Sequence, residues 1–361
     1  MKALKVRTAS KKYPVMIGEH AVSLIKPFLA SENVNFTKLL IITDENVGRL
    51  YLPALLEELA PFKSAVFTAP GGEQAKAIEF YYEAMTCALE NGLDRNSLII
   101  AFGGGAIGDL AGFVAATFMR GIRFIQVPTT ILAHDSSVGG KTGINHHLGK
   151  NMIGAFHQPE AVFYDLNFLK SLPESEIRSG FAEVVKHGLI GDPALYNWLR
   201  NNVDDLGQIP LNQYETMLEK GIDVKASIVA EDAHEKGIRA YLNFGHTLGH
   251  AIEAEMGYGN FTHGEAVMIG MLFALEASRA EVGLTFDTDS LRSWIEKLGY
   301  SASIPEGLSK KGLMKRMKQD KKTVGGTTRF VLLADIGQPC LKDLTDTRIE
   351  FLLDNFLSSQ K

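Results

Sequence analysis

Apolar positions in the first half of the chain fall into short dense runs, separated by stretches in which they recur every three or four residues. The runs Leu39–Thr43, Ser64–Thr68, Ser97–Phe102, Phe124–Val127 and Ala161–Tyr164 are rich in β-branched and aromatic residues, as expected of buried strands. Between them, Tyr51–Leu59 and Ala75–Glu90 carry apolar residues at the spacing of a helix that covers a sheet. This alternation predicts parallel βαβ units, and so an α/β, doubly wound, Rossmann-like N-terminal domain over residues 1–172. After Leu172 the texture changes. Pro173-Glu174-Ser175-Glu176 opens a helix with acidic residues in its first turn, and long helical patterns follow. Residues 173–361 are therefore expected to form a mainly α-helical C-terminal domain. The run Ala266–Leu275, interrupted by Gly270, is too short for a membrane span and reads as a buried helix. Thr323–Thr328 followed by Arg329–Leu333 predicts a hairpin or a single returning strand.

Length and charge narrow the class. A chain of 361 residues suits two domains, and 45% hydrophobic with 22% charged residues is the make-up of a soluble globule. With 37 basic against 42 acidic side chains the net charge is −5, and no run of five like charges occurs, so neither nucleic acid nor an anionic membrane is an expected partner. Cys87 and Cys340 lie far apart and form no ligand-spaced pair, which fits a reducing cytoplasm. The first thirty residues carry scattered charges and lack the apolar core of a signal peptide.

Three groups of residues carry chemistry. The strand ending at Phe102 runs into Gly103-Gly104-Gly105-Ala106-Ile107-Gly108-Asp109, where Gly103, Gly105 and Gly108 have dinucleotide-binding spacing and a helix start could receive a pyrophosphate. The acidic residue expected about 20 positions later is missing, since Leu110 to His134 holds no Asp or Glu. Tight turns explain the same glycines, and a nucleotide could instead lie across several strand ends, including Thr43-Asp44-Glu45-Asn46 and Gly71-Gly72-Glu73-Gln74-Ala75-Lys76. Second, nine of the ten histidines fall between His134 and His263. His246 and His250 share one helical face at i and i+4, His263 stands at a probable helix start, and Glu183 is a carboxylate among apolar helical neighbours. A carboxylate with two imidazoles suits catalytic zinc, although each histidine alone is as readily a cap or a surface residue, and no spacing makes Glu183 and His246 meet. Third, Lys141, Lys150, Lys186, Lys225 and Arg239 lie in or beside these segments, with Asp135 and Asn151 interleaved. A small substrate with a carboxylate and a phosphate would suit such cations, whereas any one lysine alone is usually solvated surface.

Together these blocks resemble the 3-dehydroquinate synthases of the shikimate pathway, members of the sugar phosphate cyclase superfamily. The resemblance runs through Gly103–Asp109, Arg120-Gly121, Val127-Pro128-Thr129-Thr130, Asp135–Asn145 and Lys150–Phe156, then Gly180–Lys186, Arg239–His250, His263–Val267 and Asp320-Lys321-Lys322. It implies an NAD-binding N-terminal domain, a helical C-terminal domain and a homodimer. It implies that Glu183, His246 and His263 ligate one divalent metal ion, zinc or cobalt. NAD would be held by Asp44, Asn46, Gly71, Gly72, Glu73, Gln74, Ala75, Lys76, Gly104, Gly105, Ala106, Ile107, Gly108, Asp109, Thr129, Thr130, Leu132, Lys141 and Lys150. Phe168, Leu169, Lys170, Ser171, Leu172 and Glu176 would complete that set. Asp135, Lys141, Asn151, Lys186, Lys225, Arg239, Asn243, His250 and one lysine of Lys321-Lys322, taken as Lys321, would face the substrate, with Arg120 reaching it from the partner subunit. One departure is that Leu132-Ala133-His134-Asp135 is a residue shorter than the commoner family pattern. The implied reaction eliminates phosphate from a seven-carbon sugar acid phosphate and closes the ring, with transient oxidation by NAD. Rival readings are another sugar phosphate cyclase, a metal-dependent alcohol or glycerol dehydrogenase, and a catalytically dead binding protein.

Overall fold

The structure, a computed structural model, describes residues 1–31, 35–257, 261–319, 323–324 and 327–359. The chain forms two compact units, Met1–Leu172 with Leu211–His234, and Pro173–Pro210 with Glu235–Lys361.

In the first unit the strands are β1 (Lys2–Arg7), β2 (Lys12–Gly18), β3 (Leu39–Asp44), β4 (Ser64–Ala69), β5 (Leu98–Gly103), β6 (Arg123–Pro128), β7 (Lys141–His146), β8 (Gly149–Phe156) and β9 (Val162–Asp165). Seven of them form one sheet in the order β1-β2-β9-β6-β5-β3-β4. Only the β1–β2 pair is antiparallel; all other neighbours run parallel. Successive side chains of a strand point to opposite faces, so an apolar run fills two cores at once. Leu40, Ile42, Ile99 and Ala101 pack with residues of helices Ile78–Glu90 and Gly105–Thr117. Leu39, Ile41, Leu98, Ile100 and Phe102 pack on the other face with Leu55 of helix Glu45–Glu58. The chain moves outward from β3 to β4, then returns to place β5 on the other side of β3. Ligands of open parallel sheets bind at such a reversal, beyond the carboxyl ends of the two strands. The separate β7–β8 hairpin lies against helix Gly105–Thr117, so close that a Cβ on Gly112 would overlap the Thr142 side chain.

Where the sequence reading gave residues 173–361 to one domain, helix Leu211–Glu231 groups with the first unit. Tyr214, Met217, Leu218 and Ile222 form its buried stripe. Beside this stripe the half-buried Glu215 pairs with the Met1 amino group at 3.0 Å and Glu219 with Lys2 at 3.3 Å, tying the helix to β1.

The second unit is mainly helical: Glu174–Ile190, Pro193–Asn202, His246–Met256, His263–Val282, Thr288–Lys297, Lys310–Gln319 and Asp346–Ser358. Strands Thr327–Asp335 and Gln338–Thr345 pair antiparallel, with Thr323–Val324 beside the first of them. Ala266–Leu275 is wholly buried within its helix, and among the described residues no helix is long and apolar enough to cross a membrane. Glycines set the closest approaches. A Cβ on Gly270 would overlap the carbonyl of Gly245, and one on Gly264 would overlap the backbone of Ser179. Gly283, by contrast, ends its helix at φ 77° with open space around it. Gly270→Ala should therefore destabilise the protein by about 3 kcal/mol, through overpacking against backbone that cannot yield. Gly283→Ala should cost only about 1 kcal/mol, for left-handed strain. Urea denaturation of the two variants checks this, and equal midpoints would contradict it.

Candidate functional site

In the first unit the polar residues gather at the carboxyl ends of β3, β4, β5 and β6. Asp44 closes β3 and caps helix Glu45–Glu58, its Oδ1 accepting from the amides of Asn46 at 2.9 Å and Val47 at 3.1 Å. Burial nonetheless pushes its carboxyl above the usual range. A Cβ on Gly71 would come 2.5 Å from Asn46 Nδ2, so that glycine makes room for the asparagine. After β5, Gly104 stands at the N-cap of helix Gly105–Thr117 without a capping side chain. Each glycine of the motif is hemmed in: a Cβ would lie 2.8 Å from Ile107 at Gly103, 3.0 Å from Thr130 at Gly104, 2.9 Å from Ser136 at Gly105 and 2.9 Å from Gln126 at Gly108. The hydroxyls of Thr43, Thr129 and Thr130 are buried at these ends with no hydrogen-bond partner among the described residues. Such orphans cost about 1–3 kcal/mol each unless something else binds them.

Not every residue named from the resemblance presents its side chain. Ala75, Ile107, Phe168 and Leu169 are core. Phe168 packs against Tyr51 and Phe102 at centroid distances of 4.8 and 5.4 Å. In the same 3-10 turn, Leu166–Ser171, Lys170 bonds Asn167 at 2.7 Å and Ser171 accepts from Tyr51 at 2.7 Å. Gly72, Gln74 and Lys170 are exposed, whereas Gly108 is buried and Ala106, Leu132, Leu172 and Glu176 are half-buried. Burial raises the Glu176 carboxyl pKa. Lys76 is buried and donates to Asp109 Oδ2 at 2.8 Å and to Asn151. Asn151 sits on β8 with a left-handed φ of 56°. Lys225, from helix Leu211–Glu231, pairs with Asp135 Oδ2 at 2.9 Å, so the short segment before Asp135 still delivers a seated carboxylate. Lys141 is exposed and Lys150 half-buried on the hairpin; Arg120 is exposed in a turn where Met119 and Arg120 are both left-handed, at φ 48° and 69°.

In the second unit three helices bring a carboxylate and two imidazoles together. Glu183 projects from Glu174–Ile190, while His246 and His263 each open a helix. Glu183 Oε1 stands 3.6 Å from His246 Nε2 and 3.6 Å from His263 Nε2, and the three donor atoms all lie within 4.8 Å of one another. The opposite ring nitrogens are turned outward, His246 Nδ1 to the Phe244 carbonyl at 3.1 Å and His263 Nδ1 to Glu253 Oε2 at 3.0 Å. Hydrogen bonds at Nδ1 commit Nε2 to the centre, as outer partners do for metal-bound histidines. The Glu183 Oε2 atom bonds Lys186, one turn along. Burial drives His246 well below its ordinary pKa, whereas at His263 the Glu183 and Glu253 carboxylates outweigh burial and hold it at about 10. His250 flanks the cluster, its ring centroid 5.2 Å from that of His246 and 5.8 Å from that of His263. Arg239 is 1% exposed, and Asn243 donates to Glu235 Oε1 at 3.0 Å.

Sequence reasoning missed Glu253 and Glu235. Glu253 could have been found as the position one turn beyond His250 on the same helix face. Glu235 carries no sequence signal, and only its left-handed φ of 57° marks it. Lys321 lies outside the described residues.

A two-faced parallel sheet with polar strand ends, joined in one chain to a helical carboxylate–imidazole cluster, places the protein in the architecture of sugar phosphate cyclases. A solved 2-deoxy-scyllo-inosose synthase, complexed with carbaglucose-6-phosphate, NAD+ and Co2+, matches with a TM-score of 0.89 at 27% identity, over 99% of this chain and 100% of that one. The family profiles for 3-dehydroquinate synthase match residues 66–179 for the N-terminal part and 180–323 for the C-terminal part. The 3-dehydroquinate synthase of Geobacillus kaustophilus (strain HTA426) is 52% identical over 354 residues, 97% of each chain. That of Bacillus cytotoxicus is 53% identical over 358 residues, 99% of this chain and 96% of the relative. The chain belongs to the 3-dehydroquinate synthase family, whose members are lyases.

The donor cluster predicts one metal site linked to a proton. Zinc or cobalt titrated near pH 7 should bind once and release about one proton, because His263 must lose the proton it holds below about 10. Affinity should therefore rise with pH across the neutral range, and Glu183→Gln should weaken it at least about 100-fold. Calorimetry in buffers of different ionisation enthalpy reads both, and stoichiometric binding by Glu183→Gln would exclude this ligand set.

Proposed function

We propose that this chain converts 3-deoxy-D-arabino-heptulosonate 7-phosphate to 3-dehydroquinate and phosphate, with NAD and one divalent ion, zinc or cobalt, as cofactors. The observation that carries the reading is the inward aim of Glu183, His246 and His263, a three-donor set of the kind that catalytic zinc sites complete with a substrate or water oxygen. These three residues would hold the ion. NAD fits the carboxyl ends of these strands, where the orphaned hydroxyls of Thr43, Thr129 and Thr130 would find partners on a ribose or diphosphate. Asp44, Asn46, Glu73, Asp109, Lys150 and the backbone of Gly104–Gly105 and Lys170–Ser171 would complete that site. When bound, the ion supplies Lewis-acid polarisation of a substrate hydroxyl, and the nicotinamide accepts and returns a hydride.

The chain's own residues do the rest. Arg239, Lys141, Lys186 and Lys225 bind the substrate's carboxylate and phosphate, and their fixed charge favours the anion that develops as phosphate leaves. Asp135, Asn151 and Asn243 orient hydroxyls, and His250 offers an imidazole to hold or move a proton. Holding the open-chain intermediate in place favours its own ring closure over reaction with solvent. A homodimer in the cytoplasm, with Arg120 reaching the partner's substrate, belongs to the same reading; the exposed, strained turn that carries Arg120 supports it.

Supplied with NAD and excess substrate, the protein should release phosphate over many turnovers while the absorbance of reduced nicotinamide barely rises. Reduced cofactor accumulating in step with product, without phosphate, would identify a dehydrogenase instead. Arg239→Leu should weaken substrate binding by about 1.5–3 kcal/mol, the worth of a charge-assisted fork, and leave NAD binding unchanged. Calorimetric titration of each ligand separates the two, and equal weakening of both would reject this role for Arg239.

A further inference from the structure

Four residues, Lys76, Asn151, Asn145 and Glu73, close a ring through the buried ammonium of Lys76. Its Nζ atom donates to Asn151, and the Asn151 amide donates to Asn145 Oδ1 at 2.9 Å. Asn145 Nδ2 donates to Glu73 Oε1 at 2.8 Å, and that oxygen lies 3.4 Å from Lys76 Nζ. A third acceptor, Asp109 Oδ2 at 2.8 Å, anchors the ring to helix Gly105–Thr117 just past its first turn. An ammonium has three N–H donors and no acceptor, and here they meet three protein acceptors. With Lys76 only 3% exposed, those contacts are intramolecular.

The ring joins segments that the sheet does not. Glu73 and Lys76 belong to the 3-10 turn that follows β4, whereas Asn145 and Asn151 lie on the two strands of the β7–β8 hairpin. Asn151 is the strained member, with φ at 56°, and both its side chain and its amide are ring members. A left-handed asparagine persists where its surroundings fix it.

We propose that Lys76 is a positioning residue for Asn151: by closing this ring it holds the asparagine's backbone in the left-handed conformation and aims the hairpin at the substrate. The proposal rests on the reading of Asn151 as substrate-facing. It adds to the NAD contact that the family resemblance implies for Lys76 a link between the turn at the strand ends and the hairpin.

The test uses the full chain and the variants Lys76→Met and Asn145→Ala, which open the ring at two different points. In the cofactor-free protein, hydrogen exchange of peptides spanning residues 145–152 should speed up at least about tenfold in both variants, while β5 keeps its protection. With NAD and substrate, KM for the heptulosonate phosphate should rise about tenfold or more, and the effect of Lys76→Met should be non-additive with that of Asn151→Ala. NAD affinity of Asn145→Ala should stay within about twofold of the parent, a split that general damage would not produce. Unchanged exchange in the hairpin of both variants would overturn the proposal, and so would additive effects of Lys76→Met and Asn151→Ala. If Lys76→Met fails to fold, Asn145→Ala decides alone by the same readings. The exchange arm needs neither cofactor nor substrate. Failure of the parent protein to form 3-dehydroquinate would therefore reject the functional reading and leave the ring to be judged by exchange.

Discussion

Two backbone contacts too tight for any side chain, Gly264 on Ser179 and Gly270 on Gly245, decide where the carboxylate and the imidazoles meet. Ser179 lies one helical turn before Glu183, and Gly264 follows His263 directly, so fixing the first pair fixes the second. The Gly264 amide also donates to Ser179 Oγ at 3.1 Å, which pins the start of that helix in direction as well as in place. Gly245 precedes His246, and its carbonyl faces Gly270, about two turns beyond His263 on the same helix. Gly249 extends the crossing, since a Cβ there would lie 3.0 Å from Val267 Cα. The donor geometry is therefore inherited from rigid helices rather than from loops, the more exact way to hold a constellation of side chains.

Charge inside this packing is divided rather than cancelled. Glu183 gives one oxygen to Lys186 and turns the other toward the two imidazoles at 3.6 Å. Lys186 and Arg239 are each 1% exposed, and burying such groups is costly unless partners stabilise the charge. Cations fixed this way need no reorganisation when an anion arrives, which is how preorganised charge acts in catalysis. The outward hydrogen bond of His263 to Glu253 serves the same end, because it settles ring orientation before any ligand is present and leaves Nε2 as the atom turned to the cluster.

Much of the architecture was legible because burial on two faces writes itself as unbroken apolar runs. Those runs located β3, β4, β5, β6 and β9 and the helices between them. The β7–β8 hairpin was not legible, since Lys141–Phe156 is built from glycine, histidine, asparagine and lysine with no clean alternation, and its sequence reads as chemistry rather than strand. The β1–β2 pair was missed for a related reason: the alternation of β1 is broken up by exposed lysines at a sheet edge. Helix Leu211–Glu231 shows its amphipathic stripe in the sequence but not the surface that covers the stripe, so its grouping with the first unit is a tertiary fact. At the site, residue type and helical spacing were enough to nominate His246, His250, His263 and Glu183. Their meeting depends on glycine crossings between segments far apart in sequence, which no local pattern encodes.

The missing acidic residue after the glycine motif has a physical reading. In the usual dinucleotide fold a carboxylate at the end of the next strand holds a ribose. Here the strand that follows the glycine helix is β6, and it ends at Pro128 and leads into Thr129 and Thr130, with orphaned hydroxyls on both threonines. Carboxylates stand instead at the end of β3, in the turn after β4 and just past the first turn of helix Gly105–Thr117, as Asp44, Glu73 and Asp109. Each is already bound within the chain: Asp44 as a helix cap, Glu73 by Asn145 and Lys76, and Asp109 by Lys76. The glycines keep their places because side chains from β6, from the following turn and from their own helix press against them. The same spacing that serves phosphate binding elsewhere here also serves close packing of helix on strand.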